Sequence, residues 1–427
     1  MKVAGFIANR IAFNQQRSFS RFIIRLSTVA TVISVMVMIV TLSLANGFQE
    51  KVSQKVFSFL GHVRIEEKQP DKAIISEEIP IKKNDTLSGV IRQLPGVAGI
   101  YPYATKYGLL KTKEDIEGVL LKGFDSTYDF DRLKQFIKEG RAVHFNESSY
   151  NKEIMISAYT AAQLKLKLND SLLMYFIRSD APQDSVGSDL PSTRVRKLKV
   201  VGIFKTGIED YDRTFAIGDI RMIQRLNADS VTTDDYKNEI GGYEIFLNDY
   251  KKIDKAADEI YELPNFPLTW NTVSAKNISP NIFDWLNMQD MTRNVLIAFM
   301  AIVAIINLIT CLIILVLERV RMVGILKSLG ATDWTVQKIF LRHSAMITIV
   351  GIVTGTALAL VLLWLQQATG FIKLKEEAYY LSEAAVKIVW WQVALIAILT
   401  FAVCFLVMMI PSLLVRKVQP VKAIQFR

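Results

Sequence analysis

The chain has 427 residues, with 51 Lys+Arg against 41 Asp+Glu and a net charge of +10. Mean hydropathy is +0.26 although 22% of the residues are charged, so the apolar residues are segregated into blocks, which argues against an ordinary soluble protein. Cys311 and Cys404 both lie inside apolar blocks, and His62, His144 and His343 are scattered, which excludes a disulfide scaffold, a cysteine zinc site and a histidine metal cluster.

Taken in chain order, residues 1–25 come first, with Lys2, Arg10, Arg17, Arg21 and Arg25 and no acid. They read as a cytoplasmic amphipathic helix leading into the first span. Four stretches, Arg25 to Glu50, Arg293 to Glu318, Arg342 to Lys373 and Lys387 to Arg416, enclose no Asp, Glu, Lys or Arg. At about 1.5 Å per helical residue, each is long enough for a hydrocarbon core of about 30 Å. Helix is the expected form, because lipid cannot satisfy open backbone groups. The predicted spans are 26–45, 294–317, 345–365 and 389–415. Ser43-Leu44-Ala45 resembles a signal-peptide cleavage site, but the apolar run lies too far from the start and is too long for that reading.

Charge sets the expected orientation. The segments 1–25, 318–344 and 416–427 hold the excess of Lys and Arg, so they and both termini are expected in the cytoplasm. The long segment 46–293 and the short loop 366–388 are then outside. The basic balance reflects this topology, and no nucleic acid partner is expected.

Segment 46–293 reads as one α+β domain. Strands are predicted at His62 to Ile65, Gly118 to Gly123, Glu153 to Ser157, Leu172 to Ile177, Val195 to Phe204 and Tyr243 to Leu247. Helices are predicted at Tyr128 to Glu139, Tyr159 to Leu168 and Tyr250 to Leu263. The pair of strands within 172–204 encloses Ser179 to Ser192, a link rich in Pro, Gly, Ser and Asp that includes Pro182, Gly187 and Pro191. It reads as a long hairpin with basic residues Arg194 and Arg196 on its return arm. It is either a solvated arm or a docking arm for a partner.

No Gly-x-Ser-x-Gly, His-Glu-x-x-His or phosphate-binding Gly-x-x-x-x-Gly-Lys-Ser/Thr string occurs. The chain is therefore not expected to be an enzyme or to bind ATP, and no metal is expected.

The segment Glu318 to Ile339 continues the second span, breaks at Gly330-Ala-Thr and restarts as a helix, with Thr332 or Asp333 as its cap. Val323, Ile325, Leu326 and Leu329 form an amphipathic piece that either lies on lipid or enters a groove on a cytoplasmic protein. In the spans, Ser27, Thr31, Ser34, Met38, Thr41 and Ala45 share one small, mildly polar face suited to helix packing. Met36, Ile39, Val40 and Ser43 share the opposite face. Gly351, Gly355 and Ala359 form a ridge for close helix packing. Asn307 needs a hydrogen-bonding partner in the bilayer, supplied by a neighbouring helix or by a substrate.

The pattern Glu318-Arg319…Gly324-Ile325-Leu326-Lys327-Ser328-Leu329-Gly330-Ala331-Thr332 resembles the coupling segment of four-span ABC transporter permeases of the MacB/FtsX superfamily. Pro411 to Arg427 is similar to the family's C-terminal box. Ala45-Asn-Gly-Phe48, Val200 to Gly207 followed by Asp210-Tyr-Asp212, and Tyr379 to Ser382 resemble motifs of its lipoprotein-releasing LolC/LolE branch.

This resemblance implies a permease subunit in the inner membrane that extracts lipoproteins and passes them to a periplasmic chaperone. ATP and Mg2+ would be held by a separate cytoplasmic ATPase dimer, and a second permease, identical or paralogous, would complete the complex. It implies that Glu318, Arg319, Val323, Gly324, Ile325, Leu326, Leu329, Gly330, Ala331, Thr332 and Asp333 engage the ATPase. Met36, Ile39, Val40, Ser43, Phe48, Phe299 and Asn307 would line a cavity for lipid chains. The hairpin of Pro182, Gly187, Pro191, Arg194 and Arg196 takes the position of the family's chaperone-recruiting hook. An FtsX-like scaffold controlling a cell-wall hydrolase, or a MacB-like exporter, are the alternative implications.

Overall fold

The structure, a computed structural model, describes residues 19–69, 76–146, 150–177, 193–227, 234–318 and 320–412. It divides into two units. One comprises residues 1–50, 285–374 and 383–427, and the other residues 51–284 and 375–382.

The long helices are α1 (Phe19–Leu60), α2 (Pro280–Glu318), α3 (Val320–Ser328), α4 (Asp333–Thr369) and α5 (Trp390–Ser412). Three of them, α1, α2 and α4, are long and apolar enough to cross a membrane, whereas the apolar part of α5, Trp390–Leu406, is shorter. Two helices overrun their apolar stretches. α1 does not stop near Ala45 but continues to Leu60, and α2 starts at Pro280, ahead of its apolar run. Membrane thickness limits the apolar stretch and not the helix. What ends α1 is Gly61, whose φ of +73° suits a glycine at the helix C-terminus. What starts α2 is Pro280, whose missing N–H costs nothing in a first turn.

In the first unit α1 packs on α4 with little between the backbones. A Cβ on Gly351 would stand 2.8 Å from Thr31 Cγ2, and one on Gly355 would stand 2.7 Å from the Val32 carbonyl oxygen. Val35, Met38 and Ile39 of α1 share a buried cluster with Ile352, Ala359 and Leu363 of α4 and with Val393 and Ile396 of α5.

The second unit is built on β1 (Val63–Glu67), β2 (Ile81–Lys82), β3 (Val97–Lys111), β4 (Ile116–Phe124), β5 (Ile137–Gly140), β6 (Glu153–Ser157), β7 (Ser171–Ile177), β8 (Thr193–Phe204), β9 (Phe215–Asp219), β10 (Glu239–Ile240), β11 (Gly242–Leu247) and β12 (Trp270–Ser274). Ten of these form one mixed sheet in the order β12-β1-β11-β3-β4-β9-β6-β8-β5, with β7 bridging β3 and β8. The parallel pairs are β4 with β9 and β6 with β8. β2 and β10 form a small separate ribbon.

Two helix expectations need correction. Tyr128 to Glu139 is not one helix: it holds a single turn, Asp131–Lys134, and then β5. The second helix ends at Gln163, because Lys165 and Asn169 adopt φ of +52° and +71°, which no helix accommodates. The third begins as a tight 3-10 turn, Tyr250–Lys252, and is α-helical over Ile253–Tyr261.

Candidate functional site

The segment between α2 and α4 is a helix, a sharp turn and a helix restart. α3 ends in a paired backbone cap. Gly330 N–H donates to the Lys327 carbonyl at 3.0 Å, and Ala331 N–H donates to the Leu326 carbonyl at 2.9 Å. This double bond pattern requires a left-handed residue, and Gly330 supplies it with φ +89°. The restart is capped by Thr332, whose hydroxyl oxygen accepts from Thr335 N–H at 3.4 Å. Lys327 reaches across the turn to Asp333 at 2.9 Å. The turn is thus held by bonds on both sides of its glycine.

Its apolar residues divide by face. Val323 is fully buried with Val336 and Phe340, and Leu326 and Ala331 pack against that cluster. Ile325 and Leu329 face outward at 50% and 80% exposure, and Trp334 joins them at 50%. Gly324 is buried, while Gly330, Thr332 and Asp333 are exposed. Arg319 and the side chain of Glu318 lie outside the described residues. Trp334 was missed in the sequence. Its signal was an aromatic in the first turn after a cap, on the side of the helix that a core residue would avoid.

The first-span residues expected to line a cavity lie along α1. Ile39 and Ser43 are buried, and Met36 and Val40 pack against the cluster shared with α4 and α5. The outward row of α1 is instead Leu26, Val29 and Ile33. Phe48 rests against Trp285 with ring centroids 5.4 Å apart. On α2, Asn307 is half-buried, and Phe299 belongs to an exposed apolar row with Val295, Ile302 and Ile306.

Pro182, Gly187 and Pro191 lie outside the described residues, but both arms of the hairpin are in place. β7 and β8 pair in register from Ser171 with Lys199 to Ile177 with Thr193. The Arg194 guanidinium donates to the Leu226 carbonyl at 2.9 Å, and that of Arg196 to the Val195 carbonyl at 3.0 Å. β7 is apolar on both faces, and among its described side chains Leu172, Met174 and Phe176 are buried. On the other face Leu173 is exposed between Lys197 of β8 and Lys111 of β3, and Val195 and Leu109, also exposed, flank Tyr175 two residues on. This exposed apolar face at the hairpin's base was legible as an unbroken apolar strand, a pattern that asks for cover on both sides.

These features define a membrane permease with a large α+β domain inserted between its first two apolar helices. Residues 26–263 match the MacB-like periplasmic core domain, and residues 294–420 match the FtsX-like permease C-terminal domain. The chain belongs to this MacB/FtsX-like permease family. Among curated proteins it is similar to the lipoprotein-releasing system transmembrane protein LolC of Xylella fastidiosa, with 21% identity over 96% of both chains. It resembles the LolC of Haemophilus influenzae at 24% identity over 80% of this chain and 78% of that one. LolE of the same organism matches at 21% over 99% of both.

Proposed function

We propose that the chain is the permease subunit of an ABC transporter that takes lipoproteins out of the inner membrane and hands them to a periplasmic chaperone. One observation carries the reading: similarity to lipoprotein-releasing LolC runs through 96% of both chains, and so includes the outer domain and the coupling turn alike. In this reading α5 is the fourth span, and both termini and the α3 turn are cytoplasmic. Ile325, Leu329 and Trp334 enter a groove of a separate ATPase, where ATP and Mg2+ are bound. A second permease, identical or paralogous, stands beside this one. The exposed rows Leu26, Val29, Ile33 and Val295, Phe299, Ile302 meet lipid chains, and the hairpin with its apolar base meets the chaperone.

The test is Leu329→Asp in the full complex. Leu329 is exposed, so the chain should insert and fold as before, while co-purification of the ATPase and lipoprotein release should fall to background. Wild-type release by this variant would sink the reading.

A further inference from the structure

A buried ionic cluster, unused by the features above, sits where α1 ends. Gly61 already stops the helix, its N–H donating to the Phe57 carbonyl at 2.9 Å. Two cations are nevertheless directed at the same end. Lys122 of β4 donates to the Phe59 carbonyl, and Arg64 Nε of β1 donates to the Leu60 carbonyl at 3.1 Å. Both also hold Glu244 of β11: Lys122 Nζ at 2.7 Å and Arg64 Nη2 at 2.6 Å from its Oε1. Lys122 and Glu244 are fully buried and Arg64 nearly so.

Rings close the site. Lys122 Nζ stands 5.2 Å from the Phe59 ring centre and 4.9 Å from that of Phe124, and the Arg64 guanidinium lies 4.8 Å over Tyr103. Burial pulls the Lys122 amine down to about 8, against the opposing pull of Glu244.

The last carbonyls of a helix lack intrahelical partners and carry the negative end of its dipole. Water or a glycine turn would satisfy them at an ordinary surface. Buried ions are costly to desolvate and add little to stability over an apolar core, so their use here points to a demand for fixed geometry. The cluster draws on three strands, β1, β4 and β11, so the helix end is bonded to the middle of the sheet.

We infer that Lys122, Arg64 and Glu244 form a rigid joint that seats the end of α1 in the outer-domain sheet, so that movement of the first apolar helix turns the sheet instead of being lost at the helix–strand junction. The three are positioning residues for the release step, and this role rests on the transport reading given above.

The test uses the full-length chain with its ATPase, comparing wild type with Lys122→Met and the charge-neutral double variant Lys122→Met/Glu244→Gln. Methionine fills the ring cage, so the variants should retain the sheet. Amide exchange at residues 57–61 should rise about tenfold, the loss expected for one charge-assisted hydrogen bond. Lipoprotein released per ATP hydrolysed should fall several-fold in both variants while ATP turnover stays near wild type; the melting temperature should drop in Lys122→Met, which strands part of the Glu244 charge, and recover toward wild type in the double variant. Unchanged exchange at 57–61 in both variants overturns the joint. Faster exchange with wild-type release per ATP overturns its part in transmission. No release by the wild-type complex would refute the transport reading, and the exchange at 57–61 would then decide the joint by itself.

Discussion

Among the described helix ends that stop at a glycine with positive φ, those at Gly330 and Gly61 are built in opposite ways. At Gly330 the cap is made of backbone, a surface ion pair closes the turn, and Leu329 is left 80% exposed. At Gly61 the following residues are buried, and two desolvated cations grip the carbonyls just before it. The first end is made rigid within itself and presents an apolar side to something else. The second has no exposed apolar residue and takes its rigidity from three strands of its own domain. A helix terminus that turns an apolar side outward therefore differs here from one that is seated in a sheet: the first keeps its bonds local, and the second draws them from far along the sequence.

The buried end should break most severely. Arg64→Leu leaves Glu244, and the buried Glu78 whose Oε1 lies 3.8 Å from the Arg64 guanidinium, with one fewer cation inside the sheet. Removing one partner of a buried ion pair costs about 3–5 kcal/mol. Hydrogen exchange on the full-length protein should show the loss across β1, β4 and β11 together, with α4 untouched. A loss confined to residues near position 64 would mean that the cluster is three local contacts and not one joint.

His62, one residue past Gly61, offers a pH handle on the same end. Its ring stacks on Phe57 at 4.4 Å, and its Nδ1 accepts from Leu247 N–H at 3.2 Å, so the neutral form fits. Burial, then the nearby Arg132 charge, lowers it from 6.5 to about 4. In that window the unfolded chain binds a proton that the native chain does not. The stabilisation is therefore complete above pH 6.5 and is lost as pH falls toward 4, by roughly 3 kcal/mol. His62→Gln should flatten the melting-temperature profile between these limits. An equally steep profile in the variant would place the acid sensitivity elsewhere.

The contrast also explains what the sequence disclosed. Gly330-Ala-Thr with its flanking apolar residues is local chemistry, so the turn and its cap were readable from neighbours alone. The hairpin arms were readable because β-branched and aromatic residues alternate with turn formers. The joint was not, since Arg64, Lys122 and Glu244 look like ordinary strand residues until β1, β11, β3 and β4 are laid side by side. β3 was missed because Gly99, Pro102 and Gly108 read as breakers. In the sheet, Gly99 and Gly108 make room for the Tyr101 ring and the Met174 side chain, each within 3 Å of where a Cβ would be. The overrun of α1 past Ala45 was hidden by Glu50, Lys51 and Lys55, which end an apolar stretch without ending a helix.

The exposed end should respond more mildly. A Cβ on Gly330 would meet nothing within 4 Å, so Gly330→Ala isolates the backbone term alone. Holding alanine in the left-handed region costs about 1–2 kcal/mol. The turn should loosen and Leu329 should lose its fixed aspect, which would weaken ATPase co-purification while the outer domain's melting stays unchanged. An effect on the outer domain would remove the separation on which the contrast depends.

The smallest effect is expected from the Lys327–Asp333 pair. Its geometry is good at 2.9 Å, and Lys327 is largely covered, but Asp333 is 48% exposed, so solvent and salt screen the interaction. Such pairs contribute up to about 1 kcal/mol. Asp333 also sits in the first turn of α4, where a carboxylate favours the helix dipole. Asp333→Asn keeps the side-chain shape and removes the charge from both interactions, so it should lower protection of the turn amides slightly, and less so in high salt. If this variant instead uncouples the ATPase as strongly as Leu329→Asp, then Asp333 is not merely bracing the turn from within. The exposed end would then be read through its charge as well as its apolar side.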